Sequence, residues 1–402
     1  MRVNVVGLGY IGLPTALMIA SEGIEVVGTD KKQLLVSDLR NGRICSEEKG
    51  LNELFQIVVQ KRISFECECV SAEIYIIAVP TPYLHNTKKL DASYVVDAVE
   101  AVCAICPSDA VIAIESTISP GTIDRYVRPV IPQGKGIRLA HVPERIIPGS
   151  ILKELRENPR TIGVDDERTG NQLKELYASF CRSSIVVTDI RTAEMSKVVE
   201  NTYRDVNIAF ANELTKICDS AGLNVYEVIR IANMHPRVNI LSPGPGVGGH
   251  CISVDPWFLV GDYPGLANLI LTARRINDSM PEYVLKKIYE IMKTENIREM
   301  KHVGIYGLTY KENVNDVRES PSFQMIDHMK LHLAEELKSY DPMLKEMIAE
   351  KQVLTFDEFL SDLKLVVIMV GHQHIIENQE KLKGKVILDT KNIVSKLPVY
   401  HL

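Results

Sequence analysis

The chain has 402 residues, of which 46% are hydrophobic and 24% charged, and its formal net charge is -6 at pH 7. This composition indicates a folded protein of two or three domains and excludes a largely disordered chain. No block of basic residues is present, and no apolar run approaches the roughly 20 residues of a membrane span, so we expect neither a nucleic-acid nor a membrane partner.

The chain begins with the pattern of a dinucleotide-binding unit. A short apolar strand over 3–6 runs into GLGYIG at 7–12, a helical segment follows, and a second strand ends at Asp30. The first glycine makes the tight turn, the second lets a pyrophosphate approach the backbone, and the third lets helix and strand pack closely. A carboxylate at Asp30 bonds to a ribose 2′-OH and repels a 2′-phosphate, which favours NAD over NADP. Because a strand opens the sequence, no signal peptide is expected.

Further strands of this sheet are predicted over 74–79, 110–115, 138–142, 161–164 and 184–188, which would complete it near residue 190. Ligands of open α/β sheets bind outside the carboxyl ends of the strands. Four residues follow these strands and could face a ligand, although each could equally be a turn residue or a helix cap. They are Thr81, Thr117, Glu144 and Arg145.

A segment without glycine or proline runs over 192–221. It predicts one helix of about 30 residues, on the order of 45 Å long. Thr192 is the predicted N-cap, and Gly222 is predicted to lie just beyond the C-terminus. Such a helix is too long for a crossover between strands, and it suits a spine between domains or a dimer interface.

Lys197, Asn201 and Arg204 share one face of this helix. Two cations and an amide in a stripe form either a solvated surface or a functional site. The dense mixture of polar and apolar residues over 201–212 is unusual for a simple exposed face, and it favours the functional site.

A second α/β unit follows a further predicted helix over 267–291. Its strands are predicted over 301–307, 336–341, 365–370 and 385–389, without a GxGxxG pattern. Ser320 and Pro321 are typical of the N-cap and first residue of a helix. Lys311 and Arg318 lie near the end of the first of these strands, where they suit a phosphate-bearing ligand or are ordinary surface charges.

Eight cysteines are scattered over the chain, namely Cys45, Cys67, Cys69, Cys103, Cys106, Cys181, Cys218 and Cys251. Cys103 and Cys106 have the spacing of a redox or zinc pair, but no second pair or histidine pair follows at finger spacing. Their apolar, helical surroundings indicate core residues. No metal site is predicted, and the cysteine usage fits a reduced cytoplasmic protein.

A glycine-rich loop lies over 244–249 and is followed almost at once by Cys251. Glycines let backbone N–H groups approach a ligand closely, and a thiolate at the end of such a loop could attack a bound substrate. From these residues alone, a glycine-rich connector followed by a buried, inert thiol is equally compatible.

Three motifs together resemble the UDP-glucose/GDP-mannose dehydrogenase family, namely GPGVGGHCISVDPWF over 244–258, GLGYIG over 7–12 and RESP over 318–321. The resemblance covers the whole chain. It implies an α/β protein with two Rossmann-like doubly wound domains joined by the long central helix and a helical linker domain. The implied domains are an NAD-binding domain over 1–190, a central helical domain for dimerisation and the cysteine loop over 191–295, and a UDP-sugar-binding domain over 296–402.

The same resemblance implies a four-electron oxidation of a UDP-sugar at its C6 alcohol to the carboxylate, with two NAD, for polysaccharide biosynthesis. UDP-N-acetyl-D-mannosamine is the favoured substrate, and UDP-N-acetylglucosamine or UDP-glucose are the alternatives. The motifs that favour it are PTP over 80–82, PERIIPG over 143–149, ENTYRDVNIAFAN over 200–212, HPRVN over 235–239 and DPWF over 255–258. A non-catalytic binding protein on this scaffold is disfavoured, because the catalytic residue types of the family are all present.

Chemical roles are also implied by the resemblance. Cys251 would attack the C6 aldehyde to give a thiohemiacetal, whose oxidation gives a thioester. Lys197 and Asn201 would hold the developing oxyanion and move its proton. Asp255 and Thr117 would hold a water that takes protons from the alcohol.

Further site residues follow from the resemblance, and Glu144 among them would assist hydrolysis of the thioester. The cofactor-binding residues would be Gly7, Gly9, Tyr10, Ile11, Gly12, Asp30, Thr81, Thr117 and Arg318. The substrate-binding residues would be Arg145, Ile146, Lys197, Asn201, Arg204, His235, Arg237, Gly248, Tyr310, Lys311 and Lys391. A homodimer or higher homo-oligomer is expected, with Arg237 offered to a neighbouring subunit. His250 is expected to be structural, because neighbours in an extended chain point to opposite faces.

Overall fold

The computed structural model describes the chain except for residues 45–47, 60, 148 and 332–336. Cys45 and Pro148 therefore lie outside the described residues. The chain divides into two compact units, Met1–Glu200 and Asn201–Leu402, and the boundary falls inside one long helix. Among the described residues, no helix combines the length and apolarity that crossing a membrane requires.

An eight-stranded sheet organises the first unit. Its strands are β1 (Arg2–Val6), β2 (Glu25–Thr29), β3 (Ile63–Glu66), β4 (Ile74–Ile77), β5 (Val111–Ile114), β6 (Arg138–His141), β7 (Arg160–Val164) and β8 (Ile185–Thr188). Their order is β3-β2-β1-β4-β5-β6-β7-β8, and β6 with β7 is an antiparallel pair in an otherwise parallel sheet. The chain leaves β1 toward β2 and later returns to β4 on the other side, which creates a switch point between β1 and β4. The predicted strands are confirmed, and β3 is an addition to them.

The helices of the first unit cover the sheet. They are α1 (Gly12–Ser21), α2 (Gln33–Arg40), α3 (Leu51–Val58), α4 (Ser93–Ile105), α5 (Ile151–Glu157) and α6 (Glu167–Ala178), with short π and 3₁₀ segments at Ile123–Val127 and Arg128–Val130. Strands β1, β4 and β5 are buried almost throughout, which explains their continuous apolar sequences. Cys103 and Cys106 are both buried around the end of α4, as expected of core residues.

One long helix, α7 (Ile190–Ala221), has 32 residues, and the prediction of a single helix is confirmed. The predicted cap is wrong, because Asp189 precedes the helix and its Oδ1 accepts the N–H of Thr192 at 2.9 Å. Thr192 therefore lies inside the first turn. At the other end, Leu223 N–H donates to the C=O of Cys218 at 2.8 Å, which is the bond that closes a Schellman motif around Gly222.

In the part of the chain that the structure describes, the second unit contains seven α-helices in addition to residues 201–221 of α7. They are α8 (Val225–Ala232), α9 (Asp255–Asp262), α10 (Asn268–Asp278), α11 (Met280–Thr294), α12 (Pro321–Leu331), α13 (Phe356–Leu360) and α14 (Gln373–Glu377). The single helix predicted over 267–291 is wrong, because α10 and α11 are separated at Ser279. Pro281 lies in the first turn of α11, and a proline inside a continuous helix would clash with the carbonyl four residues before it.

A five-stranded parallel sheet organises this unit. Its strands are β9 (Val303–Tyr306), β10 (Lys338–Tyr340), β11 (Leu365–Ile368), β12 (Val386–Asp389) and β13 (Tyr400–His401), in the order β10-β9-β11-β12-β13. All four strands that the sequence predicts are present, and the residue at which β10 was expected to begin, Glu336, lies outside the described residues. Ser320 caps α12 as predicted, because its Oγ accepts the N–H of Ser322 at 3.3 Å and Pro321 is the first helical residue.

The two sheets share one local arrangement at the end of their first strands. Leu8 N–H donates to Asp30 Oδ2 at 2.9 Å after β1, and Leu308 N–H donates to Asp341 Oδ2 at 2.7 Å after β9. Asp341 is fully buried and accepts further hydrogen bonds from neighbouring backbone N–H groups and contacts His372. Protein groups therefore occupy the acceptor positions of the Asp341 carboxylate. Asp30, in contrast, is only half-buried and can reach a ligand.

Candidate active site

The turn between β1 and α1 has the shape that a dinucleotide needs. Gly7 has a φ of 93°, and a Cβ there would lie 2.4 Å from the C=O oxygen of Ala78. A Cβ on Gly12 would lie 1.8 Å from the C=O oxygen of Gly7, whereas a Cβ on Gly9 would meet nothing within 4 Å. The first and third glycines are therefore required by packing, and the second faces open space, where a pyrophosphate can approach the backbone. These residues fit NAD.

Asp30 is fixed at the end of β2 by backbone N–H groups. Its Oδ2 accepts from Leu8 and its Oδ1 accepts from Lys32, both at 2.9 Å. A carboxylate offers about four acceptor positions, so Asp30 can accept ribose hydroxyls in addition to these bonds. Tyr10 is exposed and Ile11 half-buried beside the same turn.

Thr81 and Thr117 follow the adjacent strands β4 and β5, as the sequence predicts. Thr81 is buried and Thr117 half-buried. Ser116 Oγ donates to the C=O of Val79 at 2.7 Å and so joins the two strand ends. Both threonines thus lie at the carboxyl edge of the sheet, where ligands of such sheets bind.

Glu144 is buried beside an arginine that sequence reasoning missed. Its Oε2 pairs with Arg160 Nη2 at 2.6 Å, and its Oε1 accepts the N–H of Arg145 at 2.6 Å. Arg160 also contacts Glu115 Oε1 at 3.3 Å, and burial raises the pKa of the Glu115 carboxyl despite that cation. The guanidinium lies over the ring of Tyr177, 4.6 Å from its centroid. An arginine at the start of a strand gives no sign in sequence that it is buried.

Arg145 has its guanidinium engaged within the first unit. It donates to Glu200 Oε1 at 2.6 Å, to the C=O of Pro159 at 2.9 Å and to Thr161 Oγ1 at 3.0 Å. These bonds fix the orientation of the guanidinium, and its sugar-binding role stays a prediction. Ile146, the next residue, is buried.

Lys197 is buried on α7, and His141 lies close enough to feel its charge. His141 Nδ1 is 2.9 Å from the C=O oxygen of Ile114. Burial, reinforced by the Lys197 ammonium, lowers the pKa of His141 to about 3, so the imidazole is neutral at pH 7. Of the predicted stripe on α7, Lys197 and Asn201 are buried and Arg204 is exposed. The stripe is thus not a uniformly solvated surface.

In the second unit, the structure brings Asn201 and Asp255 together. Both are buried, and Asn201 Nδ2 donates to Asp255 Oδ2 at 2.6 Å. Asp255 is the first residue of α9, and its backbone N–H donates to the C=O of Cys251 at 2.9 Å. Cys251 is exposed, so the alternative of a buried, inert thiol is excluded.

The glycines before Cys251 pack closely against the segment from Tyr310 to Glu319 of the same unit. A Cβ on Gly248 would lie 2.6 Å from the C=O oxygen of Glu319, and a Cβ on Gly249 would lie 2.7 Å from Cε2 of Tyr310. Gly249 has a φ of 86°, and its N–H donates to the C=O of Arg318 at 2.9 Å. The expectation that this backbone is open to a ligand is therefore wrong at Gly249, whose N–H is already used.

His250 is half-buried between the loop and Cys251. Burial lowers the pKa of His250, and the positive charge of Arg318 lowers it further. The chain is not extended here, because the C=O of Cys251 accepts the N–H groups of Val254 and Asp255 in a tight turn. The reason given for a structural His250 is therefore wrong, and its role stays a prediction.

Candidate phosphate-binding residues lie around the same loop. Burial, reinforced by the negative Asp316, raises the pKa of Tyr310 to about 12. Arg318 binds Asp316 through Nη2 at 2.6 Å. Lys391 Nζ lies 3.5 Å from the position of a Cβ on Gly244, and burial lowers the pKa of this ammonium.

The remaining predicted sugar contacts are more exposed. Lys311 is half-buried, whereas His235 and Arg237 are exposed. The N–H of Arg237 donates to His235 Nδ1 at 3.3 Å. The sugar-binding roles of these residues stay predictions.

Three domains of one protein family match successive parts of the chain. They are the UDP-glucose/GDP-mannose dehydrogenase family's NAD binding domain over 1–181, its central domain over 191–279 and its UDP binding domain over 304–396. A UDP-N-acetyl-D-mannosamine dehydrogenase of Methanococcus maripaludis is 45% identical over 405 residues, which span 98% of this chain and 93% of the relative.

Solved structures agree with these matches. A UDP-D-ManNAc dehydrogenase from Pyrococcus horikoshii is 34% identical and has a TM-score of 0.92, over 100% of this chain and 99% of that chain. A UDP-N-acetyl-mannosamine dehydrogenase from Staphylococcus aureus is 41% identical and has a TM-score of 0.89, over 100% of this chain and 98% of that chain.

The glycine turn over 7–12, the switch point between β1 and β4 and these matches define an NAD-dependent nucleotide-sugar dehydrogenase. The chain belongs to the UDP-glucose/GDP-mannose dehydrogenase family. The resemblance drawn from its motifs, the α/β fold with two Rossmann-like sheets and a long central helix, and the NAD cofactor are thereby confirmed.

Proposed function

We propose that this dehydrogenase oxidises UDP-N-acetyl-D-mannosamine at C6 to UDP-N-acetyl-D-mannosaminuronate. The observation that supports the chemistry is an exposed Cys251 one turn before Asp255. The Asp255 carboxylate in turn accepts a hydrogen bond from Asn201 Nδ2 at 2.6 Å. The names of the relatives support the substrate. UDP-N-acetylglucosamine and UDP-glucose are the competing substrates that the experiment below separates.

The proposed reaction proceeds through a covalent bond to Cys251. NAD, when bound, supplies the hydride acceptor for each of the two oxidations. The C6 alcohol first loses a hydride and a proton and becomes an aldehyde. The Cys251 sulfur then adds to C6, so that a C–S bond forms, and the carbonyl oxygen takes up a proton to become the hydroxyl of a thiohemiacetal. Loss of a second hydride gives a thioester, and water then replaces the sulfur. One alcohol, two NAD⁺ and one water thus give one carboxylate, two NADH and three protons.

The proposed roles of the neighbouring residues follow from the family resemblance. Asn201 has two amide hydrogens, and while one is donated to Asp255 the other can stabilise an oxyanion at C6. Asp255 helps to hold the water that accepts the proton of the alcohol. Lys197 stabilises the same oxyanion and moves its proton, Thr117 contributes to the water site, and Glu144 assists hydrolysis of the thioester.

The finer organisation of the protein is part of this proposal. We divide the chain into an NAD-binding domain over 1–190, a central helical domain over 191–295 and a UDP-sugar-binding domain over 296–402. The family matches over 1–181, 191–279 and 304–396 support these bounds. A cytoplasmic location is supported by free thiols at Cys67, Cys69, Cys103, Cys106, Cys181 and Cys218. A role in polysaccharide biosynthesis follows from the proposed uronate product.

We also propose a homodimer or higher homo-oligomer formed through α7. Tyr203, Phe210 and Ile217 are spaced by seven residues and are 62%, 50% and 56% exposed in the single chain. Such spacing places them on one face of the helix, and exposed apolar faces of this kind are usually covered by a partner. Phe210→Glu should shift the sedimenting species to the monomer, whereas Leu34→Glu, at an exposed leucine of α2, should leave the assembly intact. A wild-type monomer at micromolar concentration contradicts the proposal.

The decisive experiment measures NADH formed per sugar with UDP-N-acetyl-D-mannosamine, UDP-N-acetylglucosamine, UDP-glucose and GDP-mannose. We expect two NADH per UDP-N-acetyl-D-mannosamine and the highest kcat/KM for this sugar. Cys251→Ala should abolish conversion to the acid, and Cys67→Ala serves as the matched control. Full conversion by Cys251→Ala contradicts the covalent route, and a higher kcat/KM for another sugar contradicts the substrate assignment.

A further inference from the structure

A continuous chain of hydrogen bonds runs through the interior of the second unit and ends at the glycine loop. Arg274 Nη1 pairs with Asp205 Oδ1 at 2.6 Å, and Asn277 Nδ2 donates to the same oxygen at 2.8 Å. Asn212 Nδ2 donates to Asn277 Oδ1 at 2.8 Å, and Asn212 Oδ1 accepts the N–H of Gly244 at 2.9 Å. The four side chains are at most 2% exposed.

The direction of this chain is set by the charge at its start. Asp205, neutralised by Arg274, can only accept hydrogen bonds, so Asn277 turns its NH₂ group toward it and its oxygen toward Asn212. Asn212 must then donate to that oxygen, which leaves its own oxygen facing the backbone of Gly244. Each amide is thus oriented by the previous one, and the last acceptor is directed at the loop.

The segment that carries Cys251 is consequently held at both ends. Gly244 is bound by Asn212, and Asp255 is bound by Asn201. Asn201 and Asn212 are 11 residues apart on α7. That separation is about 16 Å along the axis and close to three full turns, so both lie on the same face.

We propose that Asn212 is a positioning residue for the Cys251 thiol, with Asn277 and Asp205 as the supports that orient its amide. The inference rests on the proposed function, in which Cys251 must meet C6 of the sugar. Loss of the Asn212 amide removes the partners of the buried Gly244 N–H and of Asn277 Oδ1. Because a buried N–H without a partner is costly, we expect the loop to move until Gly244 finds a new one. A displacement of about 1 Å at a reacting atom lowers a rate by about 100-fold.

Two variants at one position test the proposal. Asn212→Leu, which is similar in size, removes both hydrogen bonds and should lower kcat by about 10- to 100-fold while the KM for NAD changes less than about twofold. Asn212→Asp keeps an acceptor for the Gly244 N–H but turns an oxygen toward Asn277 Oδ1. Its kcat should fall less, by about 2- to 10-fold, as expected for one hydrogen bond, and it decides the question if the leucine variant does not fold.

Alkylation of Cys251 by iodoacetate, followed by peptide mass spectrometry, gives a readout that does not depend on turnover. In both variants the pH profile of alkylation should differ from that of the wild type, with the rate at pH 8 changed by about threefold or more, because the surroundings of the sulfur are no longer fixed. Asn224→Asp is the matched control, because the α8 N-cap oxygen that accepts from Tyr226 and Glu227 is retained in aspartate. Unfolding midpoints establish which variants are folded.

The proposal is overturned if folded Asn212 variants keep the wild-type kcat and the wild-type alkylation profile. It is also overturned if the unfolding midpoint is the only quantity that falls, because Asn212 then has a purely structural role. Failure of the proposed function is recognised separately. If Cys251→Ser still forms two NADH per sugar, the covalent route is wrong, whereas the alkylation profiles of the Asn212 variants still decide whether Asn212 positions the thiol.

Discussion

Asn201 donates its side-chain amide to Asp255 at 2.6 Å, and this bond joins α7 to the first residue of α9. Both side chains are buried, although amide and carboxylate groups are usually exposed. The pair lies one turn beyond Cys251, whose C=O accepts the N–H of Asp255. Two hydrogen bonds thereby link α7, the proposed nucleophile Cys251 and the Asp255 carboxylate.

Asn201→Asp should lower kcat by about 100-fold, because a donor is replaced by an acceptor beside a buried carboxylate. Like charges at this distance raise the pKa of one carboxyl, so the loss should be smaller at pH 6 than at pH 8, where both groups tend to ionise. The measurement is kcat with saturating substrate over pH 6 to 9. Asn233→Asp, at an exposed asparagine of the same unit, should retain activity, and an Asn201→Asp variant within threefold of wild type at all pH values contradicts the prediction.

Gly249→Ala should destabilise the protein through both backbone and packing. A left-handed alanine costs about 1–2 kcal/mol, and the contact at 2.7 Å with Tyr310 adds about 1–3 kcal/mol of overpacking. Gly265→Ala provides the control, because Gly265 has a φ of 83° but a Cβ there meets nothing within 4 Å. Urea unfolding should show a larger loss for Gly249→Ala, and equal losses would show that the Tyr310 contact is unimportant.

Arg160→Gln should lower the free energy of unfolding by about 3–5 kcal/mol, because Glu115 and Glu144 lose their buried cation. Burial already raises the pKa of Glu115, and loss of the arginine raises it further. The folded state then binds more protons than the unfolded state, so stability falls as pH rises from about 4.3, the ordinary pKa of a glutamate, toward the raised value.

The Arg160 prediction is checked by urea unfolding of the variant between pH 5 and pH 8, where the penalty should grow with pH. The exposed pair of Arg230 with Glu227 supplies the control, because solvent screens surface ion pairs and they contribute little to stability. Comparable losses for Arg230→Gln and Arg160→Gln, or a penalty independent of pH, would rule out a buried charge cluster.

Asp30→Ser should weaken NAD binding and relax the preference over NADP. The lost carboxylate removes an acceptor for the ribose hydroxyls and a repulsion against a 2′-phosphate. We expect the KM for NAD to rise about 10-fold and that for NADP to fall, in line with loss of a charged hydrogen bond. Asp341→Ser, at the equivalent place of the second sheet, should lower the unfolding midpoint and leave the KM for NAD unchanged. If the KM for NAD rises in Asp341→Ser and not in Asp30→Ser, the assignment of NAD binding to Asp30 is wrong.

The parts of the fold predicted correctly depend on neighbours in sequence. Apolar strands, the glycine pattern over 7–12 and an uninterrupted helical segment are all local signals. The break at Ser279 was also readable, because Pro281 follows within two residues. The choice of Asp189 over Thr192 as the cap of α7 depends on where the helix begins, which sequence patterns define only to within a few residues.

The contacts that were not predicted join distant residues. The sequence around Gly249 explains neither why Tyr310 lies against it nor why its N–H meets the C=O of Arg318. Arg160 and Asn212 are likewise ordinary polar residues until the fold buries them beside their partners. The sequence predicts Cys251 from its glycine-rich loop, Asn201 from its helix face and Asp255 from the family resemblance. The structure adds that Asn201 and Asp255 are hydrogen-bonded.

The packing of the glycine loop against Tyr310 and Arg318 has a consequence for how a substrate is sensed. The backbone that leads to Cys251 is hydrogen-bonded to the segment proposed to grip the diphosphate, so the two cannot shift independently. If this segment binds the nucleotide as proposed, energy from that binding helps to hold the sulfur in place. Shortened sugars that lack the uridine diphosphate should accordingly react more slowly even at saturation, and not merely bind less tightly.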